Sequence, residues 1–420
     1  MKEKIKVLTL GDHPLAPSGV GIQTKNMCEA LLDSGKFKIS SLGGAIKHER
    51  YTPMKTERYG EDWIIHPVDG YGNPDIIRSV LEVEKPDIVW FMTDPRFWGW
   101  LWNMENEIRC AAPLVYYHVW DNYPYPKYNK KFYECNDHIV TISKVTDDIV
   151  RTVAPEVPCT YLPHAVDSTV FRKLSENEFN ISRFKEDHGI EPHKMVFFWN
   201  SRNARRKQSG SLLFWFKDFL DEVGHDKAIL LMHTNTKDPN GQDLDAIIQE
   251  LALDDGQVLF SRVAVQPEQM SLIYNMSDCT ICVSDAEGFG LSTLESLACG
   301  TPIITTMTGG PQEQVTDGVD WFGIGLEPAS KSIIGSQEVP YIYEDRIAGQ
   351  DVKAALLRMY NMTSEERSAM GLLGKQHVEK NYNFEDFNSK WVELMTNIHE
   401  KNGSWLTRSG YDAWTLEEVA

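Results

Sequence analysis

Residues 284–313 read SDAEGFGLSTLESLACGTPIITTMTGGPQE, and this stretch decides the fold. The apolar run 279–283 (CTICV) enters it, and a second buried run, 301–305 (TPIIT), leaves it. Between them lie a glycine-bearing turn and a helical segment. A strand, a glycine turn, a helix and a second strand make one unit of a parallel sheet covered on both faces. Gly288 and Gly290 let the backbone approach a ligand closely. Glu287 closes the strand–loop and Glu295 lies near the start of the helix. A carboxylate there is ordinarily a partner of the helix dipole. Two carboxylates bracketing a glycine-rich helix start also suit hydroxyls on both sides of a bound phosphate.

The same alternation extends in both directions. Strands are expected at 4–10, 39–42, 87–92, 114–119 and 139–143, with helical patterns between them. A charged stretch at 174–193 interrupts the pattern and reads as a linker with one short helix. Alternation restarts at 195–199 (MVFFW) and continues at 228–232, 258–260, 279–283 and 301–305. Beyond residue 344 only helices are expected, at 351–360, 364–382 and 384–399. Trp405, Tyr411 and Trp414 suggest a tail that docks on the body. A chain of 420 residues accommodates two such doubly wound units.

Composition narrows the function classes. Acidic residues outnumber basic ones by 61 to 42, for a net charge of -19. Bulk sequence-independent nucleic-acid binding is excluded, since that affinity comes from Lys and Arg, although a local basic patch is compatible with the charge. No apolar run approaches the ~18 residues of a membrane span, and no signal peptide is expected at the N-terminus. The seven cysteines read as reduced thiols of a cytoplasmic protein, with Cys279 and Cys282 inside a buried strand rather than at zinc spacing.

Two further features suit an anionic ligand. Ser18-Gly-Val-Gly21 follows the first strand and opens a helix, where free N–H groups and the dipole favour negative charge. Alone it also fits a plain tight turn. Residues 200–207 (NSRNARRK) place four cations after the 195–199 strand, at the sheet edge where open α/β folds bind ligands. Arg202 offers a bidentate donor and Lys207 a point charge to a diphosphate.

Taken together these residues resemble the family-four retaining glycosyltransferases of the GT-B fold, most closely over 284–313, where EGFGLSTLE follows the family's E-x7-E signature. The resemblance implies an α/β architecture of two Rossmann-like domains facing a central cleft: an acceptor-binding domain at 1–175 plus 384–420, a linker at 176–193 and a donor-binding domain at 194–383, with the C-terminal helix crossing back to the first domain. It implies transfer of a sugar from a nucleotide-diphosphate sugar, UDP- or GDP-linked, to a hydroxyl. It implies retention by a front-face route with no cofactor and no metal.

Residue by residue, the resemblance places Arg202 and Lys207 on the diphosphate, Glu287 on the sugar hydroxyls and Glu295 on the ribose. Phe289, Gly290, Leu291 and Ser292 would offer backbone N–H groups, and Arg262 or Val263 would meet the base. Gly19 and Gly21 would close over the phosphates, and His118 would position the transferred sugar. Ser201, Gln208 and the pair His164-Ala165 depart from the family pattern without removing a charge. For the acceptor, Trp120, Asp121, Tyr123 and Lys127 stand in an aromatic and basic run, with Trp98, Trp100 and Trp102 upstream. Such a run suits stacking on sugars or bases, and equally a proline-rich loop with core aromatics. The acceptor class stays open between a glycan, a small molecule and a modified DNA base. Two alternatives stand beside the main reading: a phage-type enzyme acting on hydroxymethylated DNA bases, and an inactive sugar-nucleotide- or carbohydrate-binding protein on the same fold.

Overall fold

The computed structural model describes residues 3–414, which form two compact units. The first comprises the chain up to His164, Gly335–Tyr341, and the residues from Glu385 on. The second comprises Ala165–Ile334 and Ile342–Phe384.

The first unit is built on an eight-stranded sheet. Its order is Met54–Lys55, Trp63–Pro67, Phe37–Gly44, Ile5–Asp12, Ile88–Met92, Leu114–His118, His138–Thr141 and Cys159–Tyr161. All neighbours are parallel except the Met54–Lys55 edge. The strand Ile5–Asp12 pairs with Phe37–Gly44 on one side and Ile88–Met92 on the other, so the strand order reverses there. The helix Phe384–Asn402 packs on this sheet through Trp391, whose ring lies 5.0 Å from Tyr117 and 6.2 Å from Trp90.

The tail docks in part. The Trp405 indole donates to the Pro86 carbonyl at 3.0 Å, and Ser404 donates to Asp87 at 2.5 Å. Tyr411 stacks under the Arg109 guanidinium at 4.1 Å. Trp414 does not dock: it is 77% exposed. Residues 415–420 of the expected tail lie outside the described residues.

The second unit carries a six-stranded parallel sheet ordered Val258–Ser261, Ala228–His233, Met195–Asn200, Cys279–Cys282, Ile303–Thr306 and Gly323–Leu326. A hairpin, Ser330–Ile334 with Ile342–Arg346, adds a small antiparallel sheet. The MVFFW run shows why both faces are covered. Met195, Phe197 and Trp199 enter one core cluster and Val196 and Phe198 the other, as the two-residue period of a strand requires. The stretch read as a linker holds the helix Ile181–Asp187, and Phe179, Phe184 and Ile190 pack into the second cluster. Strand Met195–Asn200 sits between Ala228–His233 and Cys279–Cys282, so the order reverses here as well. Loops leaving the carboxyl ends of adjacent strands at such a reversal meet and leave room for a ligand.

The strands Met54–Lys55 and Trp63–Pro67 at one side of the first sheet, the edge strands Cys159–Tyr161 and Gly323–Leu326, and the hairpin were not expected from the sequence. They are brief and carry few of the apolar runs that mark central strands.

Candidate functional site

The loops after Met195–Asn200 and after Cys279–Cys282 meet in the second unit and build the site. The first loop ends in a single 3-10 turn, Arg205–Lys207, and Gln208 takes a left-handed conformation (φ 55°) to start the helix Ser209–Val223. Lys207 is thereby turned inward, buried, and forms an ion pair and hydrogen bond with Glu287 from the second loop. Arg206 lies 3.9 Å from the same carboxylate and donates to the Ala286 carbonyl. Ser284 donates to Glu287 at 3.4 Å. Burial pushes the Glu287 carboxyl upward, but the charges of Lys207 and Arg206 outweigh it and hold its pKa below the ordinary value.

Gln208, a departure from the family pattern, ties the two loops together. Its amide donates to the buried Asp285 carboxylate at 2.7 Å, and the Asp285 N–H donates to the Arg206 carbonyl at 2.8 Å.

The glycine turn then presents a helix end. Gly290 has φ +85°, and a Cβ there would stand 2.7 Å from Thr293 Oγ1, so both conformation and space require glycine. Phe289 is buried and its carbonyl accepts from the Gln314 amide at 2.6 Å. The Gly310 N–H donates to the Glu287 carbonyl at 3.2 Å, closing the turn against the 309–311 segment. Leu291 and Ser292 open the helix Leu291–Ala298. Their N–H groups belong to the first turn, which has no intrahelical partners, and the dipole adds positive potential there.

Glu295 sits one turn further on, half-buried. It accepts from the Tyr274 hydroxyl at 2.9 Å. Burial raises its pKa to about 7, against a smaller downward effect of the Tyr274 hydrogen bond.

Other expected residues are placed differently. Arg202 turns to Asp238, with Nε and Nη2 at 2.7 and 3.1 Å from the two carboxylate oxygens, and its side chain is 64% exposed. The expected Arg202–Lys207 pair is therefore not assembled: Arg206, which the sequence reading passed over, is the arginine beside Glu287. Adjacency to Lys207 in one tight turn was the signal for it. Arg262 lies after the edge strand Val258–Ser261, paired with Asp245 at 2.7 Å and over the Phe260 ring, and Val263 is exposed.

In the first unit, Gly19 and Gly21 open the helix Gly19–Asp33. Ser18 caps it by accepting from the Gly21 N–H at 3.0 Å and donates to Asp12 at 2.6 Å. A Cβ on Gly21 would come within 2.8 Å of the Ala16 and His13 carbonyls, which explains the glycine.

His118 ends the strand Leu114–His118 and is enclosed. It is fully buried, hydrogen-bonded through Nε2 to Tyr133 at 2.8 Å and packed on Tyr116, and burial lowers its pKa to about 3. The imidazole is neutral, and its Nδ1 has no hydrogen-bond partner among the described residues. Trp98 and Trp102 are core residues, in contact with Phe91. Trp120 is buried, Asp121 half-buried, and Tyr123 donates to Asp148 at 2.8 Å, and Lys127 is the exposed member of that set.

Residues 181–332 match the family model of glycosyl transferases group 1. The chain carries a group 1 glycosyltransferase domain. The matched span contains both loops of the site described above. An alpha-monoglucosyldiacylglycerol synthase of Streptococcus pneumoniae is 27% identical over 168 residues, which are 40% of this chain and 37% of that protein. The spore coat protein SA of Bacillus subtilis is 23% identical over 78% of this chain and 82% of its own length. Among solved structures, a sucrose-phosphate synthase of Thermosynechococcus elongatus superposes with a TM-score of 0.75 at 14% identity, covering 95% of this chain and all of that one. HepE of Anabaena, solved with UDP and glucose, gives 0.67 at 14% identity over 94% of this chain and all of that one. The glycosyltransferase domain thus stands in a GT-B fold.

Proposed function

We propose that this glycosyltransferase moves a sugar from a UDP- or GDP-linked donor to a hydroxyl, with retention and without a metal. The observation that carries this reading is the Lys207–Glu287 pair at the mouth of the Leu291–Ala298 helix. A basic group, an acidic group and free helix N–H groups converge there, matching a phosphate and a sugar side by side. That HepE was solved with UDP and glucose supports the choice of donor.

In this reading the diphosphate takes Lys207, Arg206 and the N–H groups of Leu291 and Ser292. Glu287, released from Lys207, accepts from sugar hydroxyls, and Glu295 accepts from the ribose. The bond from the anomeric carbon to the phosphate oxygen breaks with its electron pair going to the phosphate. The acceptor oxygen bonds to the same face, and its proton passes to the departing phosphate. Each preorganised donor on the developing charge contributes about 2.7–4 kcal/mol. All seven cysteines are free thiols, which supports a cytoplasmic setting.

The test is a thermal-shift panel of UDP, GDP, ADP and CDP and their sugars, with and without EDTA. A ligand at about 100 times its Kd adds ~2.7 kcal/mol. A shift with UDP or GDP that survives EDTA is expected. Binding of none of them would withdraw the donor assignment, and a shift abolished by EDTA would withdraw the metal-free mechanism.

A further inference from the structure

We propose that Tyr274 is a positioning residue of the donor site, joining the phosphate-side loop to the carboxylate of Glu295. The proposal rests on the donor-site reading above. Three elements meet at one hydroxyl. Asn200, the last residue of strand Met195–Asn200, donates from Nδ2 to Tyr274 Oη at 2.9 Å. Tyr274, on the helix Pro267–Met276, donates from Oη to Glu295 Oε2 at 2.9 Å. A phenol has one proton. Since Asn200 can only donate from its amide nitrogen, the Tyr274 proton is committed to Glu295, and the chain of bonds has one direction.

The ring itself is held. It is fully buried, with Phe198 at 5.2 Å and Phe171 at 6.1 Å, both edge-on. The Tyr274 carbonyl accepts from Thr301 Oγ1 at 2.7 Å, tying the same residue to the strand-leading segment after Glu295's helix. The loop that carries Lys207 begins at Asn200, so the bridge sets the distance between the phosphate cations and the ribose carboxylate.

A neutral donor suits this place. A lysine or arginine would occupy the carboxylate as Lys207 occupies Glu287. One phenol proton orients Glu295 and leaves acceptor capacity for two ribose hydroxyls. The other titratable groups near the carboxylate are the Cys299 thiol at the end of its helix and, beyond that, Lys173. Ionised Glu295 is acceptor-only and accepts more strongly from hydroxyls, and a donated hydrogen bond favours the ionised form. The bridge therefore acts on both the orientation and the charge of Glu295.

Tyr274→Phe keeps the ring and deletes the hydroxyl. Calorimetric titration of the full chain with UDP, GDP, ADP and CDP from pH 6 to 9 reads the effect. The expected result is a Kd about tenfold weaker than wild type near pH 7, in line with one lost hydrogen bond to a charged group, with the gap narrowing toward pH 9 as Glu295 ionises. The nucleotide's own phosphate titration is common to both proteins and cancels in the ratio. Asn200→Ala, at a partly exposed position, serves if Tyr274→Phe does not fold, and should weaken binding about threefold in the same pH sense. Wild-type binding with both variants unchanged, or weakened equally at every pH, overturns the positioning role and leaves the donor reading intact. Failure of wild type to bind any of the four overturns the donor reading itself.

Discussion

The ammonium of Lys207 is held by the carboxylate of Glu287, 80 residues away in sequence, where two loops of one parallel sheet meet. Neither group reaches that arrangement without the strand-order reversal at Met195–Asn200. The pair keeps two charged, mostly buried groups neutralised while the site is empty. In the proposed reading, a diphosphate would take over the lysine and free the carboxylate for the sugar.

Lys207→Ala should therefore lower kcat/KM for donor hydrolysis by at least about 100-fold, the loss of one well-placed donor on the developing charge. Arg206 stays beside Glu287, so the fold should persist. Initial rates of nucleotide release from UDP- and GDP-sugars, with circular dichroism as the folding control, check both parts. An unchanged rate would remove Lys207 from the reaction.

The two arginines should separate. Arg206→Ala is expected to weaken kcat/KM by about tenfold or more, whereas Arg202→Ala, whose guanidinium is already taken by Asp238, should change it less than about threefold. The same donor-hydrolysis assay compares them. A larger loss for Arg202 than for Arg206 would mean that Arg202 leaves Asp238 when the donor binds.

Glu295 sets a conflict between stability and binding. Its pKa of about 7 in the folded chain exceeds the ordinary carboxyl value of 4.5. Between those values the folded chain retains a proton that the unfolded chain releases, so stability from this group is full below about pH 4.5 and is lost as pH rises toward 7. Glu295→Gln is neutral at every pH and escapes that loss. It should melt higher than wild type at pH 8 by an amount on the order of 2 kcal/mol, with little difference at pH 5. Nucleotide affinity should fall in the same variant. Thermal melts at the two pH values are the check; equal melting at both would show that Glu295 is not held protonated by its surroundings.

The tail's anchor should be purely structural. Arg408 and Asp137 form a 2.6 Å ion pair with both side chains 3% exposed, and Arg408 also donates to the Arg109 carbonyl at 2.7 Å. Arg408→Ala removes one partner of Asp137, which keeps Arg109 at 3.1 Å and the Leu114 N–H, and should destabilise the first unit by about 1.5–3 kcal/mol. Nucleotide Kd should not move, since the residues proposed above to hold the donor belong to the second unit. Denaturant unfolding followed by Trp fluorescence, alongside a UDP and GDP titration, separates the two effects.

Local pattern carried a large part of this protein. Apolar runs alternating with helical periods fix the central strands of both sheets, because burial on two faces demands them. The spacing of Glu287, Gly290 and Glu295 fixes the turn and helix start, because only glycine takes φ +85° without strain and a helix begins where the turn ends. Lys207 is in the same class, since its loop must follow its strand.

What the sequence left open concerns partners rather than elements. Arg202 and Arg206 have the same chemistry and stand four residues apart; which of them meets Glu287 depends on the 3-10 turn at Arg205–Lys207 and on Asp238 arriving from another strand's loop. His118 at a strand end reads alike whether it faces solvent or Tyr133. Trp98, Trp102 and Trp414 share a residue type, yet the first two are core and the last is exposed. Tyr274 looks like one more apolar position on a helix until Asn200 and Glu295 close on its hydroxyl. Sequence periodicity specifies which face of an element is buried, whereas the neighbour that a polar side chain finds is set by packing between segments far apart in the chain.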